Sequence, residues 1–177
     1  DLVLNHVSAS HPWVLQFLHR EEPGCRCILA PDPEAGWSNV IRPRSSNLFT
    51  TLATIEGPRP VWSTFGPDQL DLDWSEPQVL LGFSELLGRL SRHGVGWLRL
   101  DAVGFVWKEE DTTCLHRPQA YTVVRILRHL LDAVSDRGVV VTETNVPEQE
   151  NLSYLRSGQD AHLAYNFPLP PLLVEAL

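Results

Sequence analysis

The chain has 177 residues, of which 43% are apolar and 20% are charged, and its formal net charge is −8. This composition is typical of one globular domain, or of one domain with a large insertion, and excludes intrinsic disorder. Since no apolar run is long enough to cross a bilayer and no Lys/Arg cluster occurs, we expect neither a membrane nor a nucleic-acid partner.

The cysteine and methionine content leads to two further predictions. Cys25, Cys27 and Cys114 cannot all pair, and they lack the four-ligand spacing of a zinc site. We therefore expect reduced thiols in a reducing compartment, namely the cytoplasm. The chain has no methionine, so we interpret it as a segment from the middle of a larger protein, with a trimmed mature domain as the alternative.

The first part of the chain is irregular after a short apolar start. Residues 1–6 are predicted to end a buried strand with polar groups at its tip. Residues 7–74 are rich in Pro, Gly and Ser, and only Pro12 to Glu22 has a helical pattern. So long a stretch without regular elements favours an inserted subdomain or a functional lid.

From Ser75 the pattern is regular. Apolar residues at helical spacing predict two helices, one capped by Ser75 and closed by Gly94, the other from Pro118 to about Asp136. Short apolar runs predict strands at 95–101, 139–143 and 161–166.

Alternation of strands and helices predicts an α/β fold with a parallel sheet. Each predicted strand ends in polar residues, which is where a (β/α)₈ barrel keeps its chemistry. At 177 residues the chain can supply about half of such a barrel, which needs roughly 250 residues. A doubly wound open sheet is the alternative, although no Gly-rich phosphate loop follows any strand.

Two strand tips carry carboxyl groups that suit glycoside cleavage. Arg99 and Asp101 lie two apart on one strand, so they face the same side, and the guanidinium can orient a nucleophilic carboxylate. Glu143 ends the next apolar strand, where a general acid would stand. Taken singly, each has a structural explanation: a buried ion pair, or a strand-end carboxylate in solvent. Together they can flank one bond as nucleophile and acid/base.

Three motifs, in order, resemble the signature regions of the α-amylase family of retaining glycosidases and transglycosidases. They are Asp1-Leu2-Val3-Leu4-Asn5-His6, Gly96-Trp97-Leu98-Arg99-Leu100-Asp101-Ala102-Val103 and Val141-Thr142-Glu143. The segments Trp62 to Asp73 and Tyr165 to Leu172 are similar to the sucrose phosphorylase-like branch. The resemblance implies a partial TIM barrel, about strands 3 to 6, formed by residues 1–6 and 75–177, with residues 7–74 as a domain B-like insertion.

The resemblance also implies roles for single residues. Asp101 would be the nucleophile that forms a β-glucosyl-enzyme, and Glu143 would be the acid/base. Arg99 would orient Asp101. His6, Phe65 and Gln69 would surround the glucosyl ring.

Two positions depart from sucrose phosphorylase on the side that binds the acceptor. These are Phe105, where that branch usually has Tyr, and Asn145, where it usually has His. The run Glu143 to Pro147 looks more like relatives that phosphorolyse glucosylglycerate or glucosylglycerol. We predict no metal, although the Asn matching Asn5 binds calcium in many α-amylases, and no cofactor. The family's third carboxylate has no counterpart, so the segment alone is expected to be incomplete as a catalyst.

The leading hypothesis is a retaining α-glucoside phosphorylase that uses a small α-glucoside and inorganic phosphate and releases α-glucose 1-phosphate. The alternatives are a hydrolase or sucrose-type transglucosylase of the same family and, in another class, a non-catalytic binding module.

Overall fold

The computed structural model describes residues 1–176. Its strands are β1 Leu2–Val3, β2 His6–Ser8, β3 Phe49–Thr54, β4 Gly57–Trp62, β5 Gln69–Asp71, β6 Trp97–Asp101, β7 Val139–Thr142 and β8 Leu163–Ala164. Its helices are α1 Pro12–His19, α2 Gly24–Cys27, α3 Pro77–Arg92, α4 Pro118–Val134, α5 Glu148–Leu152 and α6 Leu169–Glu175. Within these residues no helix combines the length and the apolar character that crossing a membrane requires.

Four strands form a parallel sheet in the order β1-β6-β7-β8. Neighbours in the sheet follow one another along the chain, apart from strands β2 to β5, which pair outside this sheet. Helix α3 connects β1 to β6, and α4 connects β6 to β7. A doubly wound sheet reverses its strand order at a switch point, whereas this order does not reverse, as in an arc of a barrel. Within residues 1–176 the sheet does not close.

Helices α3 and α4 bury their apolar stripes, as their spacing predicts. The buried residues are Val79, Phe83 and Leu87 on α3 and Ala120, Val123, Val124, Leu127 and Leu131 on α4. The prediction that Ser75 caps α3 is wrong. Ser75 donates its hydroxyl to Asp73 Oδ1 at 2.5 Å, and the Glu76 carboxylate accepts from the N–H of Gln78.

The segment from residue 7 to residue 74 contains more regular structure than its composition indicates. Strand β2 pairs antiparallel with β5, and β3 pairs with β4 across a tight turn. Pro58 and Pro60 lie two apart on β4, so their missing N–H groups fall on one edge of that strand, where residues 1–176 provide no partner strand. Helix α1 ends at His19, earlier than predicted, because Arg20 adopts a left-handed conformation with φ 57°.

The start of the chain also differs from the prediction of one strand over residues 1–6. Only Leu2–Val3 pairs in the parallel sheet, with Leu100 and Asp101 as partners. His6 instead begins β2 and pairs with Asp71. The chain therefore turns away from the sheet at the buried Asn5.

The three cysteines are free thiols. Burial raises the pKa of Cys27 to about 12, and its Sγ contacts the carbonyl oxygen of Pro23 at 3.3 Å. A thiol with so high a pKa is not a nucleophile at neutral pH, so Cys27 is a packing residue.

Two glycines of α3 give a matched test of how α1 packs on this helix. A Cβ at Gly82 would lie 2.7 Å from ring carbons of Trp13, whereas a Cβ at Gly88 would meet only Arg92 Nη1 at 3.6 Å. We expect Gly88→Ala to raise the free energy of unfolding by ~0.5–1 kcal/mol through helix propensity. Gly82→Ala should lower it, because overpacking costs about 1–3 kcal/mol. Urea unfolding of both variants measures this, and stabilisation by Gly82→Ala would contradict the packing.

Candidate active site

A cavity of about 770 Å³ opens where β6 and β7 end. It contains seven of the eight residues singled out from the sequence: His6, Phe65, Gln69, Asp101, Phe105, Glu143 and Asn145. The eighth, Arg99, forms ion pairs with three carboxylates that line this cavity, those of Asp1, Asp101 and Glu143. Residues from four separate parts of the chain therefore meet in one place.

One guanidinium lies near three carboxylates, and Arg99 Nη1 is 3.1 Å from Asp1 Oδ2. Arg99 donates through Nη1 to Asp101 Oδ1 at 2.7 Å, and its Nη2 lies 3.9 Å from Glu143 Oε1. Burial lowers the pKa of Arg99, but the hydrogen bond and the charges of Asp101 and Glu143 outweigh it, so the pKa lies above its ordinary value. The Arg99 guanidinium also lies 5.1 Å from the ring centroid of Tyr165, just after β8, which fixes the plane of the cation.

The backbone after Asp101 holds Glu143 in place. Ala102 has a left-handed conformation, with φ 52°, and its N–H donates to Glu143 Oε2 at 3.2 Å. A left-handed non-glycine residue costs on the order of 1–2 kcal/mol. The residue directly after the candidate nucleophile Asp101 therefore contacts the candidate acid/base Glu143 through its backbone N–H.

Aromatic rings form the wall next to His6. The Phe65 ring lies 5.2 Å from the His6 ring and 5.4 Å from the Phe105 ring. Such faces pack well against the C–H side of a sugar. Gln69 Nε2 lies 3.0 Å from His6 Nε2, and because the amide N–H can only donate, His6 Nε2 accepts. Burial lowers the pKa of His6, although Asp71 and Asp101 oppose that shift, so this ring is neutral at neutral pH.

A buried cation that the sequence analysis missed lies beneath these residues. Lys108 Nζ contacts Asp71 Oδ2 at 2.5 Å, Asn5 Oδ1 at 2.7 Å and the carbonyl oxygen of Phe105 at 2.6 Å. Asp71 also accepts from Asn5 Nδ2 and from Thr64. The ammonium group thus occupies a cluster of oxygens that could otherwise bind a cation. Its sequence signal is weak, a lone lysine after an aromatic run.

The loop at residues 41–44 is the second feature missed from the sequence, and it lines the same cavity. Arg42 donates to the carbonyl oxygens of Asn47, at 2.9 Å, and of Ser46, so it fastens the loop to itself. Arg44 is exposed, and the residues described provide no ion-pair partner for it. The signal in the sequence is two arginines around a proline in an acidic chain.

Comparison with known proteins places this site in a family. The model of the α-amylase catalytic domain matches residues 1–176. The chain belongs to the α-amylase family. The open parallel sheet is therefore part of a TIM barrel, which confirms the predicted fold class.

Two curated relatives are phosphorylases. The chain is 47% identical to the glucosylglycerate phosphorylase of Allomeiothermus silvanus over 175 residues, covering 98% of this chain and 32% of that protein. It is 39% identical to the glucosylglycerate phosphorylase of Escherichia coli over 180 residues, covering 100% of this chain and 32% of that protein. The chain therefore spans about a third of the length of these relatives.

A solved structure has the same fold. The crystal structure of sucrose 6F-phosphate phosphorylase from Thermoanaerobacter thermosaccharolyticum superimposes with a TM-score of 0.86 at 24% identity, covering 98% of this chain and 38% of that chain. At this identity the likeness concerns the fold alone.

The buried Lys108–Asp71 pair should be costly to break from one side. Only 4% of the Lys108 side chain and none of the Asp71 side chain is exposed. We expect Lys108→Met to lower the free energy of unfolding by about 3–5 kcal/mol, because Asp71 is left as an uncompensated buried charge. Adding Asp71→Asn to Lys108→Met should recover at least half of that loss. Urea unfolding of the whole protein tests both, and a loss under about 1 kcal/mol for Lys108→Met would show that the pair does not carry this structure.

Proposed function

We propose that the whole protein is a retaining α-glucoside phosphorylase of the glucosylglycerate type. The observation that carries this proposal is the placement of Asp101 and Glu143 in one cavity, where the neighbouring parallel strands β6 and β7 end, and within reach of one guanidinium. Two carboxylates so placed can act on opposite sides of one glycosidic bond.

In the first step Asp101 attacks the anomeric carbon of an α-glucoside. A new bond forms between that carbon and a carboxylate oxygen, while the bond to the leaving oxygen breaks. Glu143 donates its proton to the leaving oxygen. Arg99 keeps the Asp101 carboxylate turned toward the cavity through the 2.7 Å hydrogen bond. The product bound to the enzyme is a β-glucosyl ester.

In the second step a phosphate oxygen attacks the same carbon from the face that the leaving group vacated. The ester bond to Asp101 breaks, and phosphate returns a proton to Glu143. The product is α-glucose 1-phosphate, since two inversions retain the configuration. Arg44 supports this step, because it brings a positive charge to a cavity that is lined by the three carboxylates of Asp1, Asp101 and Glu143.

The acceptor side supports glucosylglycerate rather than sucrose. Phe105 and Asn145 both line the cavity, and both depart from the residues expected of sucrose phosphorylases. The curated relatives with 47% and 39% identity are named glucosylglycerate phosphorylases.

Two variants separate the proposed roles of the carboxylates. Asp101→Asn keeps the shape but loses the nucleophilic charge, so it should form no covalent intermediate from any donor. Glu143→Gln removes a proton transfer worth ~10²–10⁴-fold, but it should still react with α-glucosyl fluoride, whose leaving group needs little acid assistance. Mass spectrometry of the intact protein after mixing with α-glucosyl fluoride measures the intermediate.

Phosphate is the control for the Asp101→Asn and Glu143→Gln variants. As an anion it needs little general-base help, so it should partly restore turnover of Glu143→Gln and leave Asp101→Asn inactive. Product analysis of the wild-type protein with and without phosphate separates a phosphorylase from a hydrolase or transglucosylase. An identical response of both variants to the activated donor would refute the assignment of separate roles.

A third variant tests the anion site. Replacing Arg44 with Gln should raise the KM for phosphate roughly 10- to 100-fold, since hydrogen bonds to charged groups contribute about 1.5–3 kcal/mol. Hydrolysis of α-glucosyl fluoride in the absence of phosphate should stay within about twofold of wild type. Arg44→Lys, which keeps the charge but not the planar fork, should fall between the two. An unchanged KM for phosphate in Arg44→Gln would remove Arg44 from the site.

A further inference from the structure

His116 stands in the wall of the active-site cavity with an unsatisfied ring nitrogen. It lies among the lining residues together with Glu143 and Asn145, and only 9% of its side chain is exposed. Its Nε2 is buried and finds no hydrogen-bond partner in residues 1–176. The nearest carboxylate oxygen, Glu150 Oε2, is 3.9 Å away, which is too far for a hydrogen bond. Buried polar atoms in native proteins rarely remain unpaired, so the partner of this atom comes from outside residues 1–176, either from the rest of the protein or from a ligand in the cavity.

The other ring nitrogen is already engaged, and its partner decides the tautomer. Tyr154 Oη lies 2.8 Å from His116 Nδ1, and the Tyr154 side chain is fully buried. Within residues 1–176 the Tyr154 hydroxyl has no hydrogen-bond partner other than His116 Nδ1, so it donates its hydrogen to Nδ1, and burial raises its pKa above the ordinary value. His116 then carries its own proton on Nε2. Burial also lowers the pKa of His116, against the opposing charge of Glu150, so the ring is a neutral donor.

The backbone fixes where this donor stands. The N–H of His116 donates to the carbonyl oxygen of Gly104 at 2.8 Å, and a Cβ on Gly104 would lie only 2.7 Å from His116 Cε1. Gly104 precedes Phe105, whose ring contacts Phe65, which in turn contacts His6. His116 is thus fixed against the residue that precedes Phe105, and it lines the same cavity as Glu143 and Asn145.

We propose that His116 determines acceptor specificity by donating its Nε2 hydrogen to an oxygen of the acceptor alcohol. The occupant is a small polyol or hydroxy acid, and its hydroxyl or carboxylate oxygen completes the hydrogen bonding of Nε2. This inference rests on the proposed transfer reaction. It does not depend on phosphate, because it concerns the other group that bonds to the glucosyl unit.

The test uses the whole protein with α-glucosyl fluoride as donor and D-glycerate, glycerol, fructose or glucose as acceptor. His116→Asn keeps a group near Nδ1 for Tyr154 and removes the Nε2 donor. His116→Gln places an amide donor near the Nε2 position. Asn tolerates the left-handed backbone of this residue, φ 50°. We expect His116→Asn to lower kcat/KM for the best acceptor roughly 10- to 100-fold, with hydrolysis of the donor by water within about twofold of wild type.

Two controls distinguish recognition from support of the fold. His116→Gln should recover most of the transfer to acceptor, and Glu150→Gln should leave the ratio of transfer to hydrolysis unchanged. A measurement that needs no variant is the ¹⁵N chemical shift of His116 Nε2 in the histidine-labelled wild-type protein. We expect this shift to change when the acceptor is added. Three results would overturn the proposal. The ratio of transfer to hydrolysis could be unchanged in His116→Asn, or His116→Asn could lose transfer and hydrolysis equally. The third result is a Glu150→Gln variant that loses transfer as strongly as His116→Asn does.

Failure of the phosphorylase assignment has a different signature. In that case the wild-type protein would release no glucose 1-phosphate when phosphate is added, but it would still transfer glucose to an acceptor. The effect of His116 would then be measured on that acceptor. A wild-type protein that transfers to water alone would refute both proposals.

Discussion

The ion pair between Lys108 and Asp71 is the interaction on which the cavity depends, because it joins three distant parts of the chain at a single buried point. Asn5 follows β1, Asp71 ends β5, and Lys108 lies in the loop after β6. Four residues that line the cavity are adjacent to a member of this network: His6 follows Asn5, Phe65 follows Thr64, Gln69 shares β5 with Asp71, and Phe105 accepts from Lys108 through its carbonyl oxygen. A pair with so little exposure contributes weakly to net stability. The pair instead determines which segments of the chain meet. It thereby sets the position of the Phe65 and Phe105 rings next to His6.

The loop from residue 102 to residue 116 shows what that fixed point supports. Ala102, Asp111, Cys114 and His116 all have φ between 50° and 59°, a conformation that non-glycine residues adopt only when their surroundings impose it. Three hydrogen bonds surround these residues. The N–H of Ala102 donates to the Glu143 carboxylate, and Lys108 Nζ donates to the carbonyl oxygen of Phe105. The N–H of His116 donates to the carbonyl oxygen of Gly104. The two residues at the ends of this loop face the cavity. Local strain is therefore concentrated where side chains must be aimed, and the hydrogen bonds around the loop offset it.

Helices α3 and α4 and the strands β6 and β7 could be predicted from the sequence, because their signal is local: apolar residues at period 3.6, or a short apolar run closed by a charged residue. Placement of Asp101 and Glu143 at one edge followed from the parallel order alone. The pairing of β2 with β5 could not be predicted, since His6 and Asp71 are 65 residues apart and neither strand has a distinctive pattern. Strand β4 could not be predicted either, because Pro58 and Pro60 argue against a strand at these positions. Lys108, Arg44 and His116 were missed for the same reason: a charged or polar residue in a loop gives no sign of whether it faces solvent, an ion pair or a cavity.

The proposed use of phosphate requires an anion to approach an acidic chain, and the local charges of the cavity bear on this requirement. The net charge of −8 opposes approach of phosphate at long range, but screening limits that field to about 8–10 Å at physiological salt. Inside the cavity the local arrangement decides. The carboxylates of Asp101 and Glu143 share the Arg99 guanidinium, so part of their charge is already compensated. Arg44 lines the same cavity and has no carboxylate partner in the described chain, so its charge is available to the proposed anion. Under the proposed function, Arg99 would serve the carboxylates and Arg44 would serve phosphate, so two separate cations would carry two tasks that a single shared arginine could not combine.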